Sequence, residues 1–254
     1  GDALPDLLAP DPLVPFAEEV AQALQGTMDE FLAFSGDPAV TLAVRSGDGE
    51  WFAGASGVQD WETQVEATSD TQFRAGSSTK PYVAVTILQL VDEGLVDLDA
   101  PLTDYLPQYP QWEGITTRDL LGMTSGLADY LNAPTLWLDA FFSDTGAMTP
   151  EELVAYVADE PMDFATGEKC AYNNTNYVLA GMIIEAVTGN DAIDEITNRV
   201  IEPLGLENTS MDIDDESKED LAHGYTELAV VAAVFGIPVE AASFVPEEFY
   251  YSEG

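Results

Sequence analysis

The chain has 254 residues, of which 46% are hydrophobic, enough to build the core of one large domain or two small ones and to exclude a disordered tail. Its 47 Asp and Glu stand against 7 Lys and Arg, and the resulting net charge of −40 makes nucleic acid and anionic membranes poor partners. Such self-repulsion must be tolerated or screened; because acid is spread along the whole chain, adaptation to concentrated salt explains it better than a cation-binding surface does.

In chain order, Val20, Leu24, Met28, Phe31 and Leu32 recur at helical spacing and predict an amphipathic helix between Phe16 and Phe34. Next come two β-prone runs, Val40 to Arg45 and Glu50 to Ala55, around Gly47, Asp48 and Gly49, which is a hairpin signal. A helix is expected to begin near Ser77, to bury Val83, Ile87, Leu90 and Val91, and to stop at Gly94. The Asp- and Pro-rich stretch from Leu95 to Pro110 reads as an ordered loop. Further helices are expected over Thr117 to Met123, Thr149 to Val157, Asn176 to Val187 and Asp191 to Ile201. Beyond Tyr225 the sequence turns apolar without a clear period. No run reaches the ~18 apolar residues of a membrane span.

Chemistry is concentrated at two places. In "FRAGSSTKPY", Ser77 and Lys80 are three residues apart and share a helix face. A serine hydroxyl is a weak nucleophile until a base takes its proton, and a lysine one turn along can reach it. The helix N-terminus also aims backbone N–H groups at the site where a carbonyl oxygen becomes negative. S-x-x-K alone is a weak signal. "CAYNNTNYVLAG" adds Tyr172 and Asn174 at the entry to another helix. Tyr172 can serve as general acid or base if a neighbouring ammonium, such as that of Lys80, depresses its phenol pKa. Asn174 offers an amide to orient Lys80 and the substrate. Taken by itself, Tyr172 would be read as an aromatic packing beside Tyr177.

With these motifs, the runs "LQLVDEGLVDLDAPLTDYLP", "TTRDLLGMTSGL", "YNNTNYVLAGMIIEAVTG" and "VIEPLGLENTSM" make the region from Val40 to Tyr225 resemble the serine β-lactamase-like family. That family includes secreted Streptomyces-type DD-carboxypeptidases, class C β-lactamases and related esterases. The resemblance implies an α/β plus all-α fold, with Ser77 the acylated nucleophile, Lys80 its activating partner, Tyr172 the general acid/base and Asn174 the substrate-orienting amide. Which of Lys80 and Tyr172 takes the first proton stays open. Residues 1–76 are expected to give the N-terminal helix and hairpin of the α/β domain, 77–220 a mostly helical domain, and 221–254 the start of the return to the α/β domain.

The sequence departs from the family pattern in three places. Met123 stands where relatives usually carry His, which reads as a packing substitution. Pro81 follows Lys80 and removes a donor within the first turns. The late Lys- or His-Thr-Gly motif and the C-terminal strands of the antiparallel sheet are absent from this sequence, and His223 in "LAHGY" is not a substitute for that motif. The function implied is a serine acyl-transfer hydrolase acting on a small peptide, ester or β-lactam, secreted to the extracellular space or periplasm, with no metal or organic cofactor. A continuation of the same polypeptide, a C-terminal companion chain or self-association is expected to complete it. The alternative is a non-catalytic binding or assembly module derived from the same fold. "MDIDDESKED" reads as a solvated acidic loop, since it lacks the Gly and Glu of a calcium loop. Cys170, the single cysteine, excludes an internal disulfide and is expected to be a small buried residue and not a second nucleophile. The charge generates a prediction: the melting temperature should rise between about 0.1 and 3 M KCl as the Debye length contracts, and a flat or falling curve would remove the salt-adapted reading.

Overall fold

The computed structural model describes residues 14–136, 139, 148–211 and 221–222, so His223, the acidic segment 212–220 and the apolar run beyond Tyr225 lie outside the described residues. The chain divides into two compact units, one holding residues up to Arg74 and the other running from Ala75 to Met211.

In the first unit, strands β1 (Val14–Pro15), β2 (Ala39–Arg45) and β3 (Glu50–Gly57) form a three-stranded sheet in the order β1-β3-β2. The hairpin is antiparallel, with Ala39 opposite Gly57 and Arg45 opposite Trp51; β1 runs parallel to β3. Two residues are too few for a periodic signal, which is why β1 was not predicted. Helix α1 (Glu18–Ser35) ends at Gly36 in the left-handed conformation that suits glycine. It is fastened to β3 by Gln25, whose Nε2 donates to the Ala55 carbonyl at 2.9 Å and to Ser56 Oγ at 2.8 Å. Gly54 lies beneath this helix, where a Cβ would come within 3.0 Å of Met28 Cε. Met28 alone of the predicted stripe is fully buried, while Val20 and Phe31 are exposed, so helical spacing was read correctly but overstated the covered face.

The second unit is helical. A 3₁₀ turn (Gly76–Thr79) leads into α2 (Lys80–Asp92), followed by α3 (Leu102–Tyr105), α4 (Thr117–Leu121), α5 (Pro150–Ala155), α6 (Thr175–Thr188) and α7 (Ala192–Ile196), which continues as a π turn (Thr197–Ile201). Its core joins Ile87 and Leu90 of α2 to Leu179, Ile183 and Ile184 of α6, all fully buried. α6 shows apolar residues around most of its circumference, as befits a helix inside a core. Val91 is only partly buried; Thr86 takes a core place, and its hydroxyl is satisfied by the Tyr82 carbonyl at 3.0 Å. Within the predicted loop from Leu95 to Pro110, Leu102, Leu106 and Tyr109 are buried and Leu102–Tyr105 closes into α3. Capping boxes start α4 at Thr116 with Asp119, and α5 at Thr149 with Glu152.

The loop after α4 crosses the chain again at Gly126, which has φ +81°, and a Cβ there would lie 2.1 Å from the Phe164 carbonyl oxygen. Gly126 in turn accepts the Asp163 N–H at 2.8 Å. Gly126→Ala is therefore expected to lower the urea midpoint, by at least about 1 kcal/mol of stability, because strain and collision act together.

Candidate active site

All four predicted site residues fall in the helical unit and come together. Ser77 sits in the 3₁₀ turn and Lys80 is the first residue of α2, which places Pro81 at the start of the helix. There its missing N–H has no intrahelical partner to lose, so the expected cost of Pro81 does not arise. Tyr172 and Asn174 approach from the segment that enters α6, with Asn174 as its N-cap residue.

Lys80 Nζ lies 3.1 Å from Ser77 Oγ and 2.8 Å from Asn174 Oδ1. Tyr172 donates its hydroxyl to Ser77 Oγ at 2.5 Å. The ammonium also stands 4.8 Å from the Tyr172 ring centroid and 5.8 Å from that of Tyr177. Hydrogen bonding with Lys80 and with Ser77 holds the Tyr172 phenol below its ordinary value, against opposing contributions from burial and from the Asp129 charge. Tyr172 is 59% exposed, so it is not the packing aromatic that its neighbour Tyr177 is. Burial and the Tyr172 charge push the Tyr177 phenol the other way.

Behind these residues lies a polar layer that sequence reasoning did not single out. Ser125 donates to Asn176 Oδ1 at 2.6 Å with both side chains buried, and Asn173 Nδ2 donates to the Leu127 carbonyl at 2.6 Å. Asp129 Oδ2 accepts both the backbone N–H and the Nδ2 of Asn174, at 3.1 and 2.9 Å. These bonds tie "TSGLADY" to "YNNTNY" across some 45 residues, a range over which no spacing rule operates. Met123, at φ 58°, accepts the Ala171 N–H on its carbonyl at 3.0 Å and the Asn176 amide on its sulfur at 3.5 Å, so it supports the same layer. A pocket beside Tyr172 is lined by Ser125, Leu127, Asp129, Asn132, Asp163 and Phe164. Among the described residues, no group of three or more His, Cys, Asp or Glu is arranged to hold a metal ion, and no helix is long and apolar enough to cross a membrane.

Cys170 corrects an expectation: it is exposed, not buried, and among the described residues its segment has no strand pairing and its thiol meets the Gly122 carbonyl at 3.7 Å.

Residues 24–242 match the family described as Beta-lactamase. The chain belongs to this family. It is 33% identical over 191 residues to penicillin-binding protein 4 of Amycolatopsis lactamdurans, an alignment covering 71% of this chain and 46% of that protein. The D-amino acid amidase of Ochrobactrum anthropi SV3, solved with L-phenylalanine amide, superposes with a TM-score of 0.71 at 31% identity, covering 88% of this chain and 61% of the amidase. An octameric penicillin-binding protein homologue from Pyrococcus abyssi gives 0.69 at 30% identity, covering 81% of this chain and 48% of the homologue. The chain thus shares the serine β-lactamase/DD-peptidase-like fold and spans about half the length of the curated relatives it matches.

Two outcomes are expected. Lys80→Met should move the Tyr172 titration, followed by ¹³Cζ-tyrosine NMR, back toward higher pH, because the group that holds the phenol down is gone. Cys170→Ser should keep the rate of Ser77 labelling within about tenfold, a barrier change of ~1.4 kcal/mol.

Proposed function

We propose that this chain carries the acyl-transfer machinery of a serine hydrolase, with Ser77 as nucleophile, Lys80 and Tyr172 as its proton-handling partners and Asn174 as the amide that orients Lys80 and the substrate. One observation supports this above the others: Ser77 Oγ accepts from both Lys80 Nζ, at 3.1 Å, and the Tyr172 hydroxyl, at 2.5 Å. With both partners protonated, neither can take the serine proton. The reactive form is therefore the one in which the Lys80–Tyr172 pair has lost a proton, and the depressed Tyr172 phenol brings that form closer to neutral pH.

In that form Ser77 Oγ attacks a carbonyl carbon, its proton passes to the basic partner, and the same proton is delivered to the departing nitrogen or oxygen. Water then attacks the acyl-serine, returning the proton and releasing the acid. Balance is complete without a redox partner or metal. An amide, peptide, ester or β-lactam fits this chemistry, and relatives named for penicillin binding and D-amino acid amide hydrolysis favour the amide-like members.

We further infer that activity requires sequence that completes the α/β unit, either from the same polypeptide or from a companion chain. The chain's coverage of about half of its relatives supports this; the octameric relative makes self-association a second route. Secretion and salt adaptation belong to the same reading, the latter resting on the net charge of −40.

The test is labelling with fluorescent penicillin and a fluorophosphonate, with the modified residue located by mass spectrometry. Label is expected on Ser77, absent in Ser77→Ala, slowed by about 10²–10⁴ in Lys80→Met, and faster as pH rises through the Tyr172 titration. If a completed assembly leaves Ser77 unlabelled by both probes, the chain is a binding or assembly module.

A further inference from the structure

We propose that Asp129 is a positioning residue, whose carboxylate selects which end of the Asn174 amide faces Lys80. The inference rests on the acyl-transfer reading for its consequence, but its geometry stands independently.

An asparagine side chain has two ends of nearly equal size and opposite polarity, so shape alone does not decide how it points. Charge does so here. An ionised carboxylate only accepts, and Asp129 Oδ2 takes the Nδ2 group of Asn174 at 2.9 Å together with the Asn174 backbone N–H at 3.1 Å. The amide oxygen is left facing the other way, where it accepts from Lys80 Nζ at 2.8 Å. A flipped amide would set its N–H groups against an ammonium that has only donors. The chain of polarity therefore runs from Asp129 through Asn174 and Lys80 to Ser77 Oγ.

The two carboxylate oxygens have separate tasks. Oδ1 accepts the Leu131 N–H at 3.1 Å and caps the 3₁₀ turn Tyr130–Asn132; Oδ2 is devoted to Asn174. A residue serving only as a cap would need the first alone. The loop is itself stitched to the start of α6, because Thr175 Oγ1 accepts the Tyr130 N–H at 3.1 Å and donates to the Ala128 carbonyl at 2.9 Å. Asp129 is thus held in register with the amide it directs.

Asp129 also adds the negative charge that opposes Lys80 at the Tyr172 phenol. Among the described residues, the titratable and charged groups around that phenol are Lys80 from α2, Tyr177 from α6, Asp129 from the preceding loop, and Asp163, which lines the same pocket.

Asp129→Asn separates the roles, since asparagine also caps turns and helices well but cannot accept on both sides. Two readouts apply: the Tyr172 titration by ¹³Cζ-tyrosine NMR, and the pH profile of Ser77 labelling by a fluorophosphonate. In Asp129→Asn, Tyr172 should titrate at lower pH and the acid limb of labelling should move with it. The plateau rate should fall by about tenfold to a hundredfold as the amide loses its orientation. Asp129→Glu should keep the titration near its original position. Asp129→Ser, which caps but carries no charge, gives the same readouts should the asparagine variant not fold. The proposal is overturned if the uncharged variants leave the Tyr172 titration in place and the plateau within about twofold. Absence of Ser77 label in the unsubstituted protein would sink the acyl-transfer reading, while the Tyr172 titration would still decide the case of Asp129.

Discussion

The candidate site depends on one ammonium group. Lys80 Nζ touches Ser77 Oγ and Asn174 Oδ1 and lies near the rings of Tyr172 and Tyr177, so a residue of α2 is joined to the entry of α6 at a single point. That meeting requires the two helices to be fixed relative to each other, and their apolar contact does this: Ile87 and Leu90 on one side, Leu179 and Ile183 on the other, all closed to solvent. Close packing transmits position, because interiors of this density have little room to slide. The core thereby sets the distance between Lys80 and Asn174.

Two arginines of the helical unit are held by carboxylates. Arg199 donates to Glu195 one turn earlier and to Glu93 at the end of α2, while Gln89 Nε2 reaches the Arg199 carbonyl at 3.2 Å. The side chain is largely covered, at 22% exposure, which protects the pairing from screening by salt. Arg118 forms a two-point pair with Asp99 at 2.7 and 2.9 Å, but both partners are exposed and the contribution is small. In a chain with 7 basic residues, Arg199 joins two helices and Lys80 sits among the candidate catalytic groups.

Much of this arrangement was legible in the sequence where local rules apply. Ser77 and Lys80 share a face by spacing alone, Gly94 stops its helix as glycines do, and Gly47 to Gly49 mark the hairpin. Family resemblance then supplied Tyr172 and Asn174, which spacing could not join to Ser77 across some 95 residues. What escaped was non-local or weakly patterned: the short β1, the helical turn at Leu102, the Ser125–Asn176 pair and the grip of Asp129 on Asn174. Cys170 was misplaced for a related reason, since hydrophobic character argues for burial while a segment without strand pairing left the thiol at the surface.

That exposure has a practical consequence. The sequence contains a single thiol, and it stands two residues before Tyr172 on the open side of the chain. A maleimide dye would thus attach at one defined position without any cysteine having to be engineered away. Its emission would report solvent and charge near the hydroxyl of Tyr172 while a ligand arrives, giving an optical view of binding that does not depend on turnover.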